Sequence, residues 1–178
     1  MQYTKQAQKA LDLAYKTSRE LQHGYVGTEH ILLGLLREGT GVAAKVLLTN
    51  GVEEEALIDL IEQLIAPSRP VRVMERDGFT PRAEELIESA GKEAVHLRSK
   101  EIGTEHLLIA IIKDNDSVAA RLLNTVGINL QKLYVDMLVA VGEDAAKYKE
   151  ELQNAKQGKK KAANLTPTLD QYSRDLTL

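Results

Sequence analysis

Gly27-Thr28-Glu29-His30 recurs, letter for letter, as Gly103-Thr104-Glu105-His106, 76 residues further on. Holding that offset aligns residues 3–65 with 79–141 without a gap, and 17 of the 63 pairs are identical. Among them are Thr4/Thr80, Ala14/Ala90, Leu21/Leu97, Ala43/Ala119, Ala44/Ala120 and Gly51/Gly127; others, such as Ile31/Leu107, Lys45/Arg121 and Val52/Ile128, are conservative. The chain is an internal duplication, so a site in one half predicts a pseudo-symmetric counterpart in the other.

Each copy reads as four helices. Over residues 4–22, Ala7, Ala10, Leu11, Ala14, Ser18 and Leu21 recur at three- and four-residue steps, an amphipathic stripe. Thr4 is the expected N-cap, its hydroxyl satisfying a first-turn N–H. In the second copy Thr80 precedes Pro81, which suits a first helical position because no partner is needed there for its missing N–H. Thr28 is read as the cap of a second helix reaching about Arg37, broken by Gly39 and Gly41. A third helix is expected from Val42 to Asn50, with Gly51 as a left-handed stop, and a fourth from Glu53 to Ile65. One such unit would bury little, so the expected fold is all-α, two pseudo-twofold-related four-helix repeats packed into one domain. The repeats span 1–65 and 79–141. Between them a connector, 66–78, is broken by Pro67 and Pro70 and holds a short extended piece at 71–74. A charged linker, 142–164, and the opening of another segment, 165–178, follow.

Composition narrows the chemistry. Aromatics are 4% of the chain, with no Trp and one Phe, so the core is aliphatic, which favours helix-on-helix packing. The net charge of −3 argues against a general nucleic-acid binder, and Lys159-Lys160-Lys161 lacks an aromatic platform. The absence of cysteine excludes disulfides, thiolate metal sites and cysteine nucleophiles. No apolar run reaches transmembrane length and the first residues lack a signal-peptide core, so a soluble cytoplasmic protein is expected, with neither membrane nor nucleic acid as partner.

The duplicated pattern T-x-x-A…GTEH-[IL]-L…VAA-[KR]-[VL]-L…G-[VI] resembles the Clp N-terminal repeat, the double repeat that heads Clp/Hsp100 AAA+ unfoldases. The tail Thr166-Pro167-Thr168-Leu169-Asp170-Gln171-Tyr172-Ser173-Arg174-Asp175-Leu176-Thr177 resembles the lead-in to the first ATPase module of ClpC-type members. The resemblance implies a non-enzymatic domain that docks substrate and adaptor proteins onto a hexameric unfoldase, itself seated on a Clp peptidase. The sequence contains no G-x-x-x-x-G-K-[ST], so no cofactor is expected here; ATP and Mg would belong to the ATPase modules.

Some ClpC-type domains bind phosphoarginine as a degradation tag, and the resemblance implies where that would happen. Glu29 and Glu105 would accept from the guanidinium, and helix starts at Thr4 and Thr80 would offer N–H groups to the phosphate. On this reading each repeat supplies a threonine and a glutamate to its own pocket. Arg82 would add a bidentate phosphate contact in the second copy. In the first copy Gln6 stands at that position and Lys5 would act as a point charge. The repeat carrying Glu105 and Arg82 is therefore expected to bind more tightly. The alternatives are an adaptor-docking or unfolded-segment-binding domain without a tag pocket, the glutamates then serving their helix dipoles, or an acid–base or metal enzyme at Glu29/His30 and Glu105/His106. The last is poorly supported, because adjacent helical residues diverge by about 100°. His30 and His106 are read as structural, hydrogen-bonding near the helix start, with no metal site. His23 and His96 are read as surface residues, and the Val-Ala-Ala blocks as packing.

Overall fold

The computed structural model describes residues 1–64 and 78–141. The extended piece expected at 71–74, the linker 142–164 and the segment 165–178 lie outside the described residues. The first repeat holds β1 (Gln2–Tyr3), α1 (Lys5–Glu20), α2 (Thr28–Glu38), α3 (Val42–Thr49) and α4 (Glu54–Leu64). The second holds α5 (Pro81–His96), β2 (Glu101–Ile102), α6 (Thr104–Lys113), α7 (Val118–Thr125) and α8 (Leu130–Ala140). The all-α double repeat expected from the duplication is the observed fold.

Local chemistry accounts for the helix ends. Thr4 Oγ1 accepts from the Ala7 N–H at 3.1 Å and Thr80 Oγ1 from Ala83 at 3.0 Å, as N-caps. Gly51 and Gly127 end the third helices at φ 84° and 89°. At the ends of α1 and α5 the left-handed residue is instead Gln22 (φ 62°) or Arg98 (φ 61°). There the His23 N–H reaches Ser18 O, and the Ser99 N–H reaches Ala94 O, each at 2.8 Å. Neither residue type announces such a turn in the sequence.

Helices α2 and α6 are apolar nearly all round because they form the centre. Ile31, Leu32, Leu33 and Leu35 from one, and Leu107, Leu108, Ile109 and Ile111 from the other, are fully buried. α1 lies so close on α2 that a Cβ at Gly34 would collide with the Ala10 carbonyl oxygen and come within 2.9 Å of Ala14 N. The duplicate position holds Ala110.

The repeats interlock rather than merely abut. α3 packs on α6 and α8 of the other repeat, and α7 on α2 and α4. The reason lies in the duplicated motifs. Thr28, expected to cap its own helix, does not; Gly27 occupies that cap position. Thr28 Oγ1 instead accepts from the Ala119 N–H at 3.1 Å, and Thr104 Oγ1 from Ala43 at 3.3 Å. Each GTEH threonine thus satisfies an orphan first-turn donor of the other repeat's third helix. The buried small residues Ala43 and Ala119 permit that approach.

The strands cross in the same way. β1 pairs with β2 in parallel, Gln2 opposite Glu101 and Tyr3 opposite Ile102. The bridge Val26–Phe79 is the same pair under the 76-residue offset with the repeats exchanged. Among the described residues no helix is long and apolar enough to cross a membrane.

Candidate functional site

At the start of α2 three side chains have separate tasks. Thr28 reaches the other repeat. His30 Nδ1 accepts from the Gly27 N–H at 2.8 Å, and His106 Nδ1 does the same for Gly103 at 2.8 Å. The histidines therefore close their own helix starts, as expected of structural residues. The Glu29 carboxylate folds back over Gly27, where any Cβ would collide with it, and Glu105 does so over Gly103. This explains the invariant first letter of the motif: the glycine leaves room for the carboxylate.

The two glutamates live in different surroundings. Glu29 is 3% exposed. Burial pushes its carboxyl above the usual range, partly offset by its own backbone N–H and by the Tyr25 hydroxyl, which donates at 3.4 Å. Tyr25 is pushed up to about 12 by burial and by the Glu29 charge. Its ring stacks on His23, and His23 Nδ1 lies 2.7 Å from His30 Nε2. Because His30 Nδ1 is an acceptor, the neutral ring carries its proton on Nε2 and donates it to His23. Burial first, and His23 second, push His30 down to about 3. His23, expected at the surface, is 2% exposed: it closes this cluster instead. The second repeat has Ser99 and Glu101 in place of His23 and Tyr25, and Glu105 is partly exposed.

The grouping of threonine with glutamate differs from the expectation. The Thr4 N–H donates to Ile102 O at 2.9 Å, bringing Thr4 beside Gly103, the residue under the Glu105 carboxylate. The Thr80 N–H donates to Val26 O at 2.9 Å, bringing Thr80 beside Gly27 and Glu29. Each threonine is therefore tied through its backbone to the strand that precedes the other repeat's GTEH glycine, Thr4 to Ile102 and Thr80 to Val26. Parallel pairing of the extended residues across the pseudo-twofold is the physical cause. Arg82, expected beside Glu105, pairs with Asp114.

The basic residues divide likewise. Arg82 is held by Asp114, with Nε 2.9 Å from Oδ2 and Nη2 2.6 Å from Oδ1, a bidentate pair that raises its pKa further. The flanking Glu84 and Glu85 are exposed. Lys5 is exposed at the first turn of α1 and lines a shallow groove of ≈ 660 Å³ with Gln2, Tyr3, Thr4, Gln8 and Lys9. Pro81 removes the N–H that Lys5 retains. The Thr4 end therefore has one more backbone donor and two lysines beside one groove carboxylate, Asp12, whereas the Thr80 end has an arginine already paired and two carboxylates.

A further side chain escaped sequence reasoning. Glu38, 4% exposed, accepts from the Thr40 and Gly41 N–H groups at 3.2 and 2.7 Å and from the Thr40 hydroxyl, shaping the turn into α3. No His/Cys/Asp/Glu group suited to a metal ion occurs among the described residues.

The family model described as the Clp repeat (R) N-terminal domain matches residues 2–77 and again 78–174. The chain belongs to that family. It is 41% identical over 175 residues to the negative regulator of genetic competence ClpC/MecB of Bacillus subtilis, covering 98% of this chain and 20% of that protein. It is 38% identical over 179 residues to the chaperone protein ClpB of Oceanobacillus iheyensis, covering 99% of this chain and 21% of that one. The chain thus spans about a fifth of these relatives. Among solved structures, the Hsp104 N-terminal domain of Candida albicans superposes with a TM-score of 0.67 at 12% identity, over 80% of this chain and 93% of that chain. The ClpV N-domain, solved in complex with a VipB peptide, gives 0.60 at 24% identity, over 75% of this chain and 82% of that chain. These two carry the fold. In this Clp repeat domain, the duplicated GTEH and Val-Ala-Ala blocks form the interlock of the two repeats.

Proposed function

We propose that this Clp repeat domain is a recognition module that presents substrate and adaptor proteins to an ATP-driven unfoldase of the ClpC or ClpB kind. The parent would be a hexamer whose ATPase modules bind ATP and Mg and whose ClpC-like form docks on a Clp peptidase in the cytoplasm. In the finer reading, arginine-phosphorylated proteins are held through a phosphoarginine side chain. One observation carries the choice of pocket: the β1–β2 register that brings Thr4 beside Gly103. There the free first-turn N–H groups of α1, Lys5 and Lys9 meet the phosphate, while Glu105 accepts from the guanidinium. A second pocket drawing on Thr80, Arg82 and Glu29 would be the weaker partner. Its glutamate is covered by Tyr25, and its arginine must leave Asp114 first.

Calorimetric titration of phosphoarginine tests this. Glu105→Ala removes a charge-assisted hydrogen bond and should weaken binding by about 10- to 100-fold; Glu29→Ala should change it little. Asp114→Asn, which releases Arg82, should strengthen a second, weaker site. Loss of binding with Glu29→Ala and not with Glu105→Ala would refute the pocket choice. No saturable binding to folded protein would leave the adaptor-docking reading.

A further inference from the structure

The pairing of β1 with β2 uses one side of β1 and leaves the other. In an extended strand the N–H and C=O of one residue point to the same side, and successive residues alternate. The Thr4 N–H donates to Ile102 O at 2.9 Å, and Tyr3 lies opposite Ile102 in the register, so Gln2 and Thr4 bond towards β2. The N–H and C=O of Tyr3 therefore face away from β2, and neither has a backbone partner on that side among the described residues. An unpaired strand edge is a template for a further strand.

The groove of ≈ 660 Å³ runs along this edge. It is lined by β1 and the first two turns of α1, and no residue of β2 contributes to it. Lys5 and Lys9 stand on its rim, one helical turn apart on the same face, both exposed and without an ion-pair partner among the described residues. Asp12, the groove's carboxylate, accepts from the Gln8 side-chain amide at 3.0 Å. The fold does not demand this basic character. Under the 76-residue offset Lys5, Gln8 and Lys9 correspond to Pro81, Glu84 and Glu85, while Asp12 keeps its sign as Glu88. Of the two equivalent edges, at Tyr3 and at Phe79, the first is thus flanked by unpaired lysines and the second by carboxylates.

We infer that the free edge of β1 binds an extended acidic segment of a partner protein as a third strand. The backbone of the segment pairs with the N–H and C=O of Tyr3, and its carboxylates, brought to one face by strand alternation, reach Lys5 and Lys9. Few backbone bonds and exposed ion pairs make the contact weak and sensitive to salt. Binding requires no phosphate, so the contact goes beyond the phosphoarginine reading and does not depend on it.

Fluorescence anisotropy of the whole chain with a dye-labelled, C-amidated short peptide of alternating valine and glutamate tests this. Saturable binding is expected at low salt and should weaken severalfold at about 0.3 M salt, where the Debye length is below about 6 Å. The double variant Lys5→Glu/Lys9→Glu, changed only at exposed positions and checked for its helical fold by circular dichroism, should bind about tenfold more weakly or worse. A peptide with glutamine in place of glutamate should lose binding to the same extent. Strand addition is read by two N-methylated peptides, one methylated on the valine nitrogens and one on the glutamate nitrogens. These block opposite edges of the extended peptide, so one should lose binding and the other keep it. No binding of the unmodified peptide, binding indifferent to the lysine changes, or the same result from both methylated peptides would each overturn the inference. Because the probe carries no phosphate, its failure leaves the phosphoarginine titration standing, and the reverse also holds.

Discussion

Thr28 and Thr104 are the residues through which each repeat caps the other, and their loss has a calculable cost. Valine matches threonine in shape but cannot accept a hydrogen bond. Thr28→Val leaves the Ala119 N–H buried and unpaired, and Thr104→Val does the same to Ala43. An orphaned buried donor costs about 1–3 kcal/mol. For a unit of this size that lowers Tm by about 4 °C per kcal/mol. The double variant should lose about 2–6 kcal/mol if the two caps act independently. Urea unfolding followed by circular dichroism gives the loss, and amide exchange at Ala119 and Ala43 locates it. Thr28→Ser, which keeps the hydroxyl, should recover most of the stability. A Thr28→Val protein as stable as wild type, with the Ala119 amide exchanging no faster, would refute the cross-repeat cap.

Two more predictions concern packing and acid. Gly34→Ala puts a methyl group into the Ala10 backbone and should destabilise by about 1–3 kcal/mol in chemical denaturation, although alanine is the better helix former; no loss would mean that α1 lifts off α2 without cost. His30, held down to about 3 against an unfolded value near 6.5, contributes stability that is complete above pH 6.5 and is lost as pH falls towards 3. At pH 5 the loss should be about 2 kcal/mol. Glu29, raised by burial, works in the opposite sense, becoming easier to bury as it protonates. A His30→Gln variant should flatten the acid limb of stability against pH; an unchanged limb would assign it to other groups.

Much of the architecture was legible because it is local. The stripe at Ala7, Ala10, Leu11 and Ala14, the caps at Thr4 and Thr80 and the left-handed stops at Gly51 and Gly127 follow from periodicity and backbone preference within a few residues of each position. The histidines could be read as structural from their distance to the helix start. Gln22 and Arg98 could not be read as left-handed, because the turn is imposed by the packing that follows it rather than by the residue type. His23 looked like a surface residue because its partner, His30, is reached only once the linker folds back over α2.

The sequence by itself determined that there are two like halves, that both are helical, and that Thr4, Thr80, Gly51 and Gly127 cap or stop their helices. The resemblance to the Clp repeat added Thr4, Lys5, Glu29, Thr80, Arg82 and Glu105 as a candidate set. Only the tertiary structure decided how that set divides. In a duplication, Thr4 has the same local surroundings whether it meets Glu29 or Glu105, so periodicity and spacing are blind to the choice. The pairing of Tyr3 with Ile102 and of Phe79 with Val26 ties each threonine to the strand that leads into the other repeat's GTEH motif. The tertiary packing also commits Arg82, the residue that favoured the second copy in the sequence, to Asp114, and covers Glu29 with Tyr25.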